Sequence, residues 1–328
     1  MKSRQFALPP GPAVWNNPPV PSPADNAISA TTRFCAVYGH PIKHSASPPM
    51  QNAGIAELGL PWRYLAFDVP PENLGEAIKG AAAMRFIGLN LTVPHKLLAL
   101  ELVDELDETA RTWGAVNTIR FEARDASGEW LPLRDVPAEA VDLIRTVGFN
   151  TDADAIIRSI REDLGYEPRG GNILVLGAGG AGSVAALRLA AEGAGHLWLV
   201  NRTEAKAAAV AQDIQKRFPG VGVSLGYPTA TVDLVLNATS LGLKPDDALP
   251  LDLEAFPLNR ARFAYDMIYR PAETPFLKLA REAGLKSANG LGMLLYQGAK
   301  ALEIWSGRPA PIEAMRQALR TAIYGSGR

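Results

Sequence analysis

Residues 172–182, NILVLGAGGAG, constrain this chain more than any other stretch. An apolar run, Ile173 to Leu176, ends at Gly177-Ala-Gly179-Gly180-Ala-Gly182, and the alanine- and leucine-rich SVAALRLAAEG follows. That order reads as a buried strand, a tight turn and a helix. Glycine lets such a turn close, lets the backbone approach a ligand and lets the helix pack on its strand. The free amides of the helix start then face a pyrophosphate. Gly177, Gly179, Gly180, Ala181 and Gly182 are therefore the candidate dinucleotide cradle, although a tight α/β turn without a ligand would use the same glycines.

The end of the next strand, HLWLVN (196–201), narrows the choice of nucleotide. A carboxylate there, about 20 residues past the glycines, would hold a ribose 2′-hydroxyl. This chain has Asn201-Arg202-Thr203 instead, with Lys206 one helical turn on. A guanidinium fork and an ammonium suit a 2′-phosphate. The expected cofactor is NADP, the alternative being that Arg202 and Lys206 are ordinary solvated charges.

The rest of the chain supports an α/β class with two layers in tandem. FCAVYG (34–39), WRYLAFDV (62–69) and FIGLNLTV (86–93) read as strands. They alternate with helices at 47–60, 71–83 and 94–106, so mostly parallel pairing is expected. Residues 121–149 lack periodicity and read as an insertion or irregular connection. DADAIIRSIREDLG (152–165) is a linking helix; further strands follow at 232–239 and 263–268, and helix from Leu291 to Tyr324, broken at GRPAP (307–311). Residues 1–30 hold seven prolines and read as a disordered arm. Two layers imply a cleft, where ligands collect.

Of 328 residues, 33 are basic and 34 acidic, a net charge of −1, against the basic excess usual for nucleic-acid binding. The single cysteine, Cys35, allows no internal disulfide, and the four histidines lack metal spacing, so no metal is expected. No apolar run is long enough to span a membrane. The expectation is a cytoplasmic protein, monomer or homodimer, acting on a small molecule.

Three places in the first half carry unusual chemistry. Pro94 suits the first position of a helix, which puts Lys96 in a first turn whose dipole disfavours a cation and would help it give up a proton. Asn150-Thr151-Asp152 precedes the linking helix. Thr151 or Asp152 would cap that helix, and Asp152 would also reach the cleft. Ser47 would cap a helix beginning at Pro48, or join Ser45 in holding a polyol or carboxylate.

The strings GHPIKHSASPPMQNAG (39–54), NLTVPHK (90–96), GAVNTI (114–119), NTD (150–152), NATSLGL (237–243), DMIYRPAETPFL (266–277) and NGLGMLLYQGAKALEIW (289–305) resemble, in order, the motifs of the shikimate dehydrogenase family. The similarity spans about residues 34–325. It implies two α/β domains: a discontinuous substrate-binding domain, 31–150 plus 288–328, and a Rossmann NADP-binding domain, 151–287. It implies that Lys96 and Asp152 are the catalytic pair and that Ser45 and Ser47 bind the substrate carboxylate. Asn90, Thr92, Asn117 and Gln297 would bind ring hydroxyls, and Tyr269 would approach the carboxylate from across the cleft. Asn201, Arg202, Thr203 and Lys206 resemble the family's NADP element. Asn237, Ala238, Thr239, Met267 and Gly290 would lie near the cofactor. The implied reaction is the NADPH-dependent reduction of 3-dehydroshikimate to shikimate. Quinate or an aminated analogue as substrate, and a catalytically weak binding homologue, are the alternatives. The chain departs from the commoner pattern at Ala153, where glycine often follows NTD, and at Asn289, where aspartate is common.

Overall fold

The computed structural model describes residues 28–125, 127–137, 140–141, 143–244 and 246–325. All but the last three residues of the proline-rich arm lie outside that set. Two sheets organise the chain.

The first sheet begins with β1 (Arg33–Gly39), β2 (Trp62–Asp68) and β3 (Gly88–Leu91), connected through α1 (Ser47–Glu57) and α2 (Leu74–Ala83). β1 lies between the other two, parallel to both. Its side chains alternate as a strand requires: Cys35 and Val37 enter one core, Ala36 and Tyr38 the other.

The helix expected over 94–106 does not form. α3 (His95–Leu98) is one turn, a 3-10 turn covers 99–101, and β4 (Glu105–Leu106) follows. Leu97, Leu98 and Leu102 stay exposed, while Ala99, Leu100, Val103 and Leu106 pack against the core. Past it come α4 (Glu108–Trp113), β5 (Thr118–Arg124), β6 (Trp130–Pro132) and β7 (Ile144–Phe149). The stretch 121–149 thus holds the end of β5, all of β6 and all of β7, where the sequence suggested an insertion or irregular connection. β5 pairs antiparallel with β3, β6 and β7, while β4 runs parallel to β7. The expected mostly parallel layer is therefore mixed, in the order β2-β1-β3-β5-β7-β4.

α5 (Asp152–Leu164) leads to the second sheet. Ile156, Ile157, Ile160 and Leu164 bury one helical face, and Gly165 ends the helix in the left-handed region, φ 65°. β8 (Asn172–Leu176), α6 (Gly180–Ala191), β9 (His196–Val200), α7 (Glu204–Arg217), β10 (Gly222–Leu225), β11 (Val232–Asn237), β12 (Ala261–Asp266), α8 (Pro275–Glu282) and β13 (Lys286–Asn289) follow. All five strand pairings are parallel, in the order β10-β9-β8-β11-β12-β13. That is the dinucleotide-binding order, whose ligand crevice opens where β8 and β11 diverge in connection. Leu174 and Leu176 face one core and Ile173 and Val175 the other, as expected of a strand covered on both sides.

At Gly290 the chain leaves this sheet. α9 (Leu291–Ser306) and α10 (Ile312–Tyr324) return to the first one, where Leu295, Leu302, Trp305, Met315 and Leu319 share a core with Met50, Ile55 and Tyr64. α5 and α9 pack against each other between the two sheets. No helix among the described residues is long and apolar enough to cross a membrane.

Candidate active site

Lys96 and Asp152 meet: Nζ donates to Oδ2 at 2.6 Å, with the lysine side chain one-third exposed and the aspartate 13%. Lys96 stands in a single helical turn and is held there by backbone anchoring. Its carbonyl accepts Val116 N–H at 2.9 Å, tying α3 to the segment before β5. Asp152 is the first residue of α5. Neither it nor Thr151 caps that helix, contrary to the sequence expectation. Asn150 does so, its Oδ1 accepting the amides of Asp152 (3.1 Å) and Ala153 (3.2 Å). The Asp152 carboxylate is thereby free to face Lys96.

A chain of buried amides and hydroxyls runs beside this pair. Tyr64 donates its hydroxyl proton to Asn90 Oδ1 at 2.7 Å. Asn90 Nδ2 donates to Asn117 O and Thr118 Oγ1. Asn117 Nδ2 donates to Thr151 Oγ1 at 2.9 Å, and its Oδ1 accepts Thr151 N–H at 2.8 Å. Thr151 Oγ1 donates to Gln297 O at 3.1 Å, bringing α9 into the network. Strand register makes this possible: Asn90 stands opposite Thr118, and Thr118 opposite Phe149.

Burial pushes the Tyr64 phenol well above its ordinary value, the Ser47 side chain acting the other way. Ser47 is buried, and its amide donates to Ser45 Oγ at 3.3 Å. α1 begins at Ser47 itself, with Ala46 before it and no side-chain cap, so neither serine is engaged in capping. Thr92 is half-buried beside Gly39. Ser45, Ser47, Asn90, Asn117, Gln297, Lys96 and Asp152 thus fall in one linked region. Tyr269 stands outside these bonds, on the loop after β12, its phenol raised by burial.

The second sheet builds the nucleotide side. Gly177 holds φ +103°, and a Cβ on Gly182 would run into the Gly177 carbonyl. A Cβ on Gly179 or Gly180 would meet nothing within 4 Å. Those two glycines and Ala181 are exposed at the start of α6, which no side chain caps, leaving its first amides for a ligand. Asn201 Oδ1 accepts Ala178 N–H at 3.0 Å and its Nδ2 donates to Thr203 O at 2.7 Å, so it ties the glycine turn to the end of β9. Arg202 and Lys206 are exposed there, with no ion-pair partner among the described residues. An open glycine cradle with two unneutralised cations fits a dinucleotide carrying an extra phosphate.

Two loops flank the cradle. Asn237 Oδ1 accepts from Thr239, and its Nδ2 donates to Asp266 Oδ1 at 3.0 Å. Ala238 backbone lies against Gly177. Asp266, fully buried, also accepts from Ile268 N–H and from Thr274 Oγ1 at 2.6 Å. Burial raises its carboxyl to about 6. Gly290 sits so close to the Met267 carbonyl that a Cβ would collide with it. Tyr64, Thr118, Asn150, Thr151, Asp266 and Thr274 escaped the sequence reading as site residues. Five of them lie inside quoted motifs, whereas Tyr64 carried no signal beyond a strand position.

A parallel dinucleotide-binding sheet facing a second α/β unit that carries a lysine–aspartate pair defines a two-domain, NADP-type dehydrogenase architecture. Residues 37–119 match the shikimate dehydrogenase substrate binding domain, 161–240 the shikimate/quinate 5-dehydrogenase family and 290–320 the shikimate 5′-dehydrogenase C-terminal domain. A shikimate dehydrogenase (NADP(+)) of Methanopyrus kandleri is 38% identical over 300 residues, covering 89% of this chain and 97% of that protein. A crystal structure of a shikimate dehydrogenase in complex with NADP+ aligns with TM-score 0.76 at 35% identity, over 90% of this chain and 98% of the other. That of the Thermus thermophilus enzyme with NADP(H) and shikimate aligns with TM-score 0.72 at 36% identity, over 88% and 99%. The chain belongs to the shikimate dehydrogenase family.

Proposed function

We propose that this chain catalyses the reversible, NADP-dependent reduction of 3-dehydroshikimate to shikimate. The observation that carries the reading is the 2.6 Å Lys96–Asp152 pair beside a network of buried amides, within a chain of this family. When bound, the reduced cofactor supplies a hydride to the carbonyl carbon. Gly177, Gly179, Gly180, Ala181 and Gly182 would hold its pyrophosphate, and Arg202 and Lys206 its 2′-phosphate. Lys96 Nζ stabilises the charge that develops on the substrate carbonyl oxygen and gives that oxygen its proton. Asp152 holds the ammonium in position and accepts a hydrogen bond from a neighbouring substrate hydroxyl. Ser45 and Ser47 hold the carboxylate from one side and Tyr269 from the other. Asn90, Thr92, Asn117 and Gln297 orient the ring hydroxyls. Residues 31–150 with 288–328 form the substrate-binding part, and 151–287 the cofactor-binding part.

The test follows absorbance at the NADPH band with shikimate and quinate, each with NADP and NAD. Shikimate with NADP is expected to give the highest kcat/KM. No turnover of shikimate with either cofactor would overturn the reading, and a preference for quinate would move the assignment within the family.

A further inference from the structure

We propose that Tyr324 and Asn289 form a clasp that sets the position of the Tyr269 loop, making both of them positioning residues for substrate binding. This inference rests on the function proposed above, which assigns Tyr269 to the substrate carboxylate.

The loop from Met267 to Thr274 is anchored at its base by Asp266, and Gly290 N–H donates to Ile268 O at 3.1 Å. Its outer part is held from elsewhere. Tyr324, in the last turn of α10, donates its hydroxyl proton to Tyr269 O at 2.7 Å. Arg270 Nη2 donates to Ala322 O at 3.2 Å. Asn289, at the end of β13, donates from Nδ2 to Ala272 O at 2.8 Å and to the Tyr324 hydroxyl oxygen at 3.0 Å.

Donor and acceptor arithmetic explains the choice of asparagine. A phenol has one proton, and that of Tyr324 goes to Tyr269 O, so the next partner of its oxygen must be a donor. Asn289 Nδ2 supplies one hydrogen to that oxygen and the other to Ala272 O, while Oδ1 accepts Leu291 N–H at 3.0 Å. An aspartate at 289 would keep the Leu291 bond. It would also set a second acceptor against the Ala272 carbonyl and the Tyr324 oxygen. The departure at 289 noted in the sequence thus has a partner 35 residues on.

The clasp joins the two walls of the site. The far side of α10 is seated in the first core through Met315 and Leu319, in contact with α1. α1 starts at Ser47. A continuous path of packed side chains and hydrogen bonds therefore links Tyr269 to the two serines. Tyr324 is 38% exposed, so its hydroxyl adds little to the core.

The test compares the full-length wild type with Tyr324→Phe, Asn289→Asp and the double variant. Each variant is expected to raise KM for shikimate about threefold to tenfold. Its kcat stays within twofold, its NADP Kd is unchanged, and its Tm stays within about two degrees. The double variant is expected to be no worse than the stronger single, since both cut one clasp. Amide hydrogen exchange over 268–273 in the ligand-free protein should quicken by a similar factor in Tyr324→Phe. An unchanged KM with unchanged exchange overturns the clasp, as does a joint fall of kcat, Tm and NADP affinity. If the wild type fails to turn over shikimate, the proposed function falls. The exchange measurement then decides the clasp by itself, and unchanged protection over 268–273 in Tyr324→Phe would sink it.

Discussion

A lysine–carboxylate pair is common on protein surfaces and contributes roughly 0–1 kcal/mol there. The Lys96–Asp152 pair matters for where it stands: next to buried amides, with a cap residue, Asn150, that leaves the carboxylate free. Replacing Lys96 by Ala is expected to lower kcat by about 10²- to 10⁴-fold while NADP still binds. Turnover near the wild-type rate, measured in the same absorbance assay, would remove Lys96 from the mechanism. Asp266 gives a second prediction. Burial raises its carboxyl from 3.8 to about 6, so between those values the folded protein binds more protons than the unfolded chain. Its contribution to stability is thus fully present below about pH 4 and is lost as pH rises through about 6, a change on the order of 2–3 kcal/mol. Asp266→Asn should flatten that part of the urea-stability profile, and an unaltered slope would count against the assignment. Lys96 was visible in the sequence, but the long helix expected to carry it is a single turn, His95–Leu98.

Among the elements, β8–α6 was the most legible, because an apolar run, a glycine turn and a small-residue helix leave little freedom. Strands β5 to β7 were not legible. Ile119, Phe121 and Ala123 alternate into one core. The opposite face, however, buries Glu122 against Arg120 and Arg145. Local polarity therefore hides a two-sided strand. Close element contacts are equally hidden. Gly88 lets β3 pass under the fully buried Trp305 indole, whose Nε1 donates to Ile119 O at 2.9 Å. Gly88→Ala would push that ring away and is expected to cost about 1–3 kcal/mol. Thermal or urea unfolding checks this, and an unshifted midpoint would contradict the tight packing.

For the whole molecule, the net charge of −1 concealed an uneven distribution. Arg202 and Lys206 stand without ion-pair partners among the described residues beside the glycine cradle, while many other arginines are tied into ion pairs. NADP should therefore stabilise the fold by mass action, about 2.7 kcal/mol at a hundred times its Kd. Arg202→Ala should weaken that stabilisation for NADP far more than for NAD. Equal losses with both nucleotides, read as shifts in Tm, would argue against a 2′-phosphate contact. Sequence by itself determined the α/β class and, through motifs in order, the family, since each rests on neighbours in the chain; the residues of the cradle, of the phosphate contact and of the first-half site are what it proposes. It also explains why the histidines and the lone cysteine suggested no metal site. Only the tertiary structure decided the mixed pairing of the first sheet, the one-turn α3, the cap at Asn150 and the path from Tyr269 through Tyr324 to α1. Those features depend on which surfaces are left to bury and which donors lack partners once distant segments meet. Spacing along a chain does not encode that.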